Sequence, residues 1–83
     1  MKPELKFPVV AHHRIIVHAD RKDDAATTAL FASFDLVEPV ALGNVSTGGK
    51  YATYALSVRL SDQAEMDRLD ATFSRVPGLK MVL

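Results

Sequence analysis

With 83 residues, no cysteine, and ten basic against ten acidic side chains, the chain can close one hydrophobic core but cannot form disulfides or thiolate zinc sites. A net charge near zero, with both signs spread along the chain, gives little long-range pull toward nucleic acid or an anionic membrane. No apolar run approaches the length of a membrane span, and Met1-Lys2-Pro3-Glu4-Leu5-Lys6 lacks the apolar stretch of a secretory signal, so the expectation is a soluble, cytoplasmic protein.

Residues 1–11 carry Pro3 and Pro8, which remove two amide donors and disfavour helix just before them. They read as a lead-in segment, free to move and anchored by Phe7, in front of a single domain over residues 12–83. The β-branched, alternating stretch 12–19 predicts a first strand, with Ile15, Val17 and Ala19 on one face and Arg14, Ile16 and His18 on the other. Asp20 to Asp24 end it and suit the cap and positive end of a helix over about 23–34, whose apolar stripe is Ala26, Leu30 and Phe34, continuing to Val37. Glu38-Pro39 stops the helix. A second strand starts at Val40, with no clear inward parity, and Pro39 marks it as an edge strand.

Gly43 to Gly49 then make a hairpin connection. The next stretch is the clearest in the chain: Tyr54, Leu56, Val58 and Leu60 alternate with Thr53, Ala55, Ser57 and Arg59, the pattern of a strand with one face in a core. Asp62 and Glu65 stand at capping-box spacing before a second helix, whose stripe is Met66, Leu69, Phe73 and Val76 and which Pro77-Gly78 ends. A fourth strand, 79–83, places Leu79, Met81 and Leu83 on one face and Lys80 and Val82 on the other.

The order strand, helix, strand, strand, helix, strand predicts an α+β fold, the ferredoxin-like βαββαβ sandwich: a four-stranded antiparallel sheet with two helices on one face and strands one and three at its centre. Its expected core is Ile15, Val17, Leu30, Phe34, Tyr54, Leu56, Val58, Met66, Leu69, Phe73, Leu79 and Met81.

Lys50-Tyr51 leading into Leu56-Ser57-Val58, the C-terminal half from Met66 to Lys80-Met81-Val82-Leu83, and Phe7-Pro8 before the first strand together resemble the YbeD-like family of small bacterial proteins of unknown function. Ile16-Val17-His18-Ala19 departs from a Lys-Val-Met-Gly-like stretch expected there. The resemblance implies a ferredoxin-like fold similar to ACT-type regulatory domains, which bind small ligands or pair with copies of themselves. It implies no catalytic residue and no cofactor.

Gly43 to Lys50 has the wrong spacing for a phosphate-binding P-loop, Tyr51 stands where serine or threonine should, and the loop opens a strand where a P-loop opens a helix. Exposed amides and Lys50 there could still touch an anion. His12 and His13 point to opposite faces of a strand, and His12 and His18 are about 20 Å apart at ~3.3 Å per residue, so they cannot share one metal ion. RNA-recognition motifs use the same topology, but Tyr51 and Tyr54 face opposite ways and strand one carries no aromatic ring, so no stacking platform and no nucleic-acid partner are expected. An acylphosphatase-type enzyme would ask Arg21 and Asn44 to hold a phosphate, against the charge of Asp20, Asp23 and Asp24.

What remains is the open sheet face. The expectation is a non-enzymatic regulatory module, ACT-like, that senses a small ligand or docks on a protein, with Arg14, Ile16, His18, Lys50, Thr53, Ser57 and Arg59 as contact residues and no metal or cofactor. The alternatives are a structural dimerisation protein without a metabolite ligand, which would self-associate through this face or an edge, and the small acylphosphatase.

Overall fold

A computed structural model describes residues 7–46 and 48–83. It contains β1 (Val9–His18), α1 (Asp24–Phe31), β2 (Asp35–Val45), β3 (Tyr51–Leu60), α2 (Gln63–Phe73) and β4 (Leu79–Val82). The strands form one antiparallel sheet in the order β2-β3-β1-β4. The long central strands are therefore β1 and β3, both helices cover one face, and the ferredoxin-like arrangement is as predicted.

The alternation of β3 governs the packing. Tyr54, Leu56, Val58 and Leu60, with Ala52, all face the helices and are buried, opposite Ile15 and Val17 of β1. Each large side chain so buried contributes roughly 1.5–3 kcal/mol before chain entropy is set against it. β1 begins at Val9 rather than His12, with Val9, Val10 and Ala11 pairing with Leu60, Arg59 and Val58. Of the expected lead-in, residues 1–6 lie outside the described residues, while Phe7 packs against the core.

The helices are capped as the sequence suggests. Asp23 accepts the Ala26 amide (2.9 Å) and Asp62 accepts the Glu65 amide (2.8 Å), each taking up one orphan donor of a first turn. The inward face of α1 differs from the expected stripe. The helix stops at Phe31, so Thr27 and Phe31, one turn apart, are its buried positions, and Phe34 enters the core from the turn beyond. Leu30 and Met66 sit at the core margin. Phe31 lies between Phe34 and Phe73, with ring centroids 6.2 and 5.7 Å away. Arg68 of α2 closes the join between the helices, stacking 4.1 Å over the Phe34 ring and donating to Ser33 Oγ at 3.0 Å.

The two edge strands explain the remaining differences. β2 starts at Asp35 instead of Val40, and its register against β3 slips at three places, between Leu36 and Glu38, Glu38 and Ala41, and Leu42 and Val45. Each slip resets which side chain faces inward, so no single parity runs through it. With Pro39 in the strand, the slips also leave a poor template for pairing with another chain. β4 carries one bulge: Leu79 pairs with Val17, but Met81 pairs with Ile16 and Val82 with Ile15, leaving Lys80 as the extra residue. The bulge inverts the parity expected for the end of the strand. Val82 packs on the core, whereas Met81 and Leu83, placed inward by simple alternation, are exposed.

Gly78 leads into β4 with φ of +72°, and a Cβ there would lie 2.9 Å from Arg21 Cβ. Only glycine fits both that conformation and that approach. Its carbonyl accepts the His18 amide at 2.8 Å, fastening the last strand to the end of β1. Among the described residues, no helix is long and apolar enough to cross a membrane.

Candidate functional site

The β1–β3 register decides what the open face presents. Val10, His12, Arg14, Ile16 and His18 stand opposite Arg59, Ser57, Ala55, Thr53 and Tyr51. Arg14, Ile16, His18, Thr53, Ser57 and Arg59 thus share one face, as expected, and Lys50 lies in the turn at one end of it. They do not form one small site: Lys50 and Arg59 stand at opposite ends of β3, about 30 Å apart at ~3.3 Å per residue.

At the far end, Arg59 donates to Asp35 Oδ2 at 3.2 Å with both side chains half exposed, a pairing that adds little stability in water. Midway, His12 Nδ1 and Ser57 Oγ lie 2.7 Å apart. A base and a nucleophile would meet in this way, but these side chains stand on flat central strands whose amides are bound to neighbouring strands, so no free amides are arranged there to hold an oxyanion. His13 faces the other way, edge-on to Phe73 at 5.0 Å. Among the described residues, no three metal-ligating side chains gather.

The Lys50 end is the more built. The His18 and Tyr51 rings lie 5.4 Å apart across the two central strands. Lys80, the bulged residue of β4, places its ammonium 4.5 Å above the Tyr51 ring and donates to Tyr51 Oη at 3.2 Å, a cation–π contact joined to a hydrogen bond. The preceding turn is held by Ser46, whose Oγ accepts the Tyr51 amide (3.0 Å) and whose carbonyl accepts the Gly49 amide (2.8 Å). Gly48 and Gly49 have φ of +90° and +72°, and the Lys50 carbonyl accepts the Ala19 amide at 2.9 Å. His18, Asp20, Gly49, Lys50 and Tyr51 line a shallow cleft of about 410 Å³. The turn opens β3, so the expected mismatch with a P-loop is seen directly. Residue 47 and the side chains of Leu42 and Asn44 fall outside the described residues, and with them the asparagine of the acylphosphatase reading.

Sequence reasoning missed Tyr51 and Asp20 as members of this cluster. The signal for Tyr51 was present: it shares the parity of Thr53 and Ser57. The pairing of His18 with it also gives the open face an aromatic contact that strand one alone did not suggest. Val82, placed on this face by alternation, is instead on the core side.

The perturbed titrations lie on the covered face. Tyr54 Oη, buried under α1, donates to Asp24 Oδ1 at 2.5 Å. Burial and then that hydrogen bond push the Tyr54 phenol up to about 12. The Tyr54 hydrogen bond, helped by that of Lys22, holds the Asp24 carboxyl below its ordinary range. This pair pins the start of α1 to the sheet and faces no cleft.

A family model described as a protein of unknown function (DUF493) matches residues 2–83. No curated protein matches the chain. Among solved structures, the chain is similar to two solution structures of the hypothetical protein HP0495 from Helicobacter pylori. One is 16% identical, covering 99% of this chain and 88% of the other, with a TM-score of 0.71. The second is 21% identical, covering 100% and 94%, with a TM-score of 0.63. At those identities the likeness speaks for the fold alone. The family match spans nearly the whole sequence, and the chain therefore belongs to the DUF493 family of proteins of unknown function.

Proposed function

We propose that this protein is a non-enzymatic regulatory module, ACT-like in architecture as the YbeD-like resemblance implies, that senses a small ligand on its open sheet face. The observation that carries this reading is the ordered cluster of His18, Tyr51 and Lys80 beside Lys50 and a cleft, on a face that no helix covers. His18, Tyr51 and Lys80 are held against one another before a ligand arrives, which reduces the ordering cost of binding. Among the described residues, the nucleophile-and-base contact of His12 with Ser57 has no arranged oxyanion donors, which supports a binding role over a catalytic one. The test is a thermal-melting series against small metabolites: a saturable rise in Tm that Lys50→Ala removes supports the reading, and no rise with any ligand class sinks it.

A second reading, self-association without a metabolite, is favoured by apolar side chains on the same face. Ile16 pairs with Met81, and Val10, Met81 and Leu83 are exposed. Under this reading the solution mass rises with concentration and Ile16→Glu returns it to that of the monomer. A monomeric mass at every concentration rejects it.

A further inference from the structure

We propose that the Lys50 cleft binds a phosphorylated sugar or polyol, the phosphate lying between Lys50 and Lys80 and hydroxyl groups of the ligand donating to Asp20. The inference rests on the ligand-sensing reading above and gives it a chemical class. Lys50 and His18 line the cleft, and Lys80 reaches the same Tyr51 from β4. Two ammonium groups suit a phosphate, whose oxygens accept several charge-assisted hydrogen bonds at once. Lys80 is held by the Tyr51 ring and hydroxyl before a ligand binds, and the Lys50 backbone is tied to the Ala19 amide, leaving its exposed side chain to close on the phosphate.

Asp20 makes the choice of ligand narrower. It lines the same cleft, and an ionised carboxylate only accepts hydrogen bonds. A bare anion would meet repulsion from it. A ligand that carries an anion at one end and hydroxyl donors at the other satisfies the lysines and the aspartate together. Tyr51, half-buried, offers ring carbon against which a sugar's C–H groups can pack. The cleft, about 410 Å³, falls in the lower part of the range for small-molecule sites, roughly 300–1,000 Å³. That size fits a sugar phosphate better than a larger conjugate.

The experiment is an amide chemical-shift titration of the whole chain with ribose 5-phosphate, ribose, inorganic phosphate and serine, on wild type, Lys50→Ala, Lys80→Ala, Asp20→Asn and, as a control away from the open face, Arg75→Ala at an exposed position after α2. The spectrum of each variant first confirms its fold. Expected are saturable shifts at His18, Asp20, Gly49, Lys50 and Tyr51 with ribose 5-phosphate, and at least about tenfold weaker binding of phosphate or ribose. Removing either lysine should also weaken ribose 5-phosphate by about tenfold or more, while Arg75→Ala leaves it unchanged. Asp20→Asn should narrow the gap between ribose 5-phosphate and phosphate. Phosphate binding as tightly as ribose 5-phosphate, or an Asp20→Asn variant with unaltered preference, overturns the proposal. Saturable shifts at the same amides with serine and none with ribose 5-phosphate overturn the ligand class and leave the sensing reading standing. No response to any probe, with a mass that rises with concentration, overturns both.

Discussion

The two faces of the central strands are made by alternate residues of the same ten-residue segments, β1 and β3, yet they do different work. Toward the helices, Ile15, Val17, Tyr54, Leu56, Val58 and Leu60 are buried and touch Phe31, Leu69, Phe73 and Val76. Toward the open side, the neighbours in sequence form discrete polar pairs: Arg59 with Asp35, His12 with Ser57, and Lys80 with Tyr51. One face holds the fold together through dense apolar contact. The other carries groups that water solvates well when their partners are removed. Substitutions should therefore separate sharply by parity, with stability responding strongly to one set and weakly to the other.

The largest expected effect is on the covered side. Phe31, fully buried between two other phenylalanine rings, should cost about 3–5 kcal/mol when cut to alanine, lowering Tm by tens of degrees in a heat-denaturation experiment. A loss under 1 kcal/mol would mean that the three rings are not a rigid unit. Next is Tyr54→Phe, which removes the bond to Asp24 and should cost about 1–2 kcal/mol, since Asp24 can regain water. The same pair predicts the pH response. The Tyr54 phenol is raised to about 12 when folded against about 10 in an unfolded chain, so its contribution is full below pH 10 and lost as pH rises from about 10 to 12. Asp24, held low when folded, contributes above the ordinary carboxylate range and loses that contribution as pH falls below about 4. Urea titrations at stepped pH should show both slopes in wild type, and in Tyr54→Phe the alkaline slope should vanish while the acid slope shrinks to the part that Lys22 supplies.

A smaller effect of opposite sign is expected at Thr27. Its hydroxyl is buried and meets no hydrogen-bond geometry among the described residues, and its proximity to the Tyr54 hydroxyl only partly offsets the raised phenol. Thr27→Val should therefore stabilise by no more than about 1 kcal/mol, a rise in Tm of at most roughly 4–8 °C for a domain of this size. Destabilisation would show that the hydroxyl has a partner in solution. The smallest effects belong to the open side. Ser57→Ala and Arg59→Ala should each change stability by no more than about 0.5 kcal/mol, and a loss above 1 kcal/mol in either would erase the contrast between the faces.

How much of this was legible depended on regularity. The β3 face, Leu69 and Phe73 of the α2 stripe, both aspartate caps and the edge position signalled by Pro39 could be read because the period is regular there. Even so, α2 stops at Phe73, ahead of the Pro77-Gly78 expected to end it, and Val76 enters the core from beyond the helix. Phe31 was hidden because the helix stops before the apolar spacing does, and Leu30 and Phe34 supplied a plausible stripe of their own. The inward residues of β2 and β4 were hidden by register slips, which are settled by pairing across strands and leave no mark on the slipping strand itself. At the candidate site, Arg14, Ile16, His18, Thr53, Ser57 and Arg59 followed from alternation. The cleft did not, because it joins His18 and Asp20 at the end of β1 to Gly49, Lys50 and Tyr51 at the start of β3, with Lys80 of β4 reaching only its Tyr51 wall.

The bulge at Lys80 has a consequence for deletion. Removing one residue from a strand normally turns every later side chain to the opposite face. Here the ladder already skips Lys80, with Leu79, Met81 and Val82 opposite Val17, Ile16 and Ile15 in turn. A chain lacking Lys80 would have an unbroken β4 with Val82 still on the core and Met81 still outside. The sheet can do without this residue; the Tyr51 end of the open face cannot.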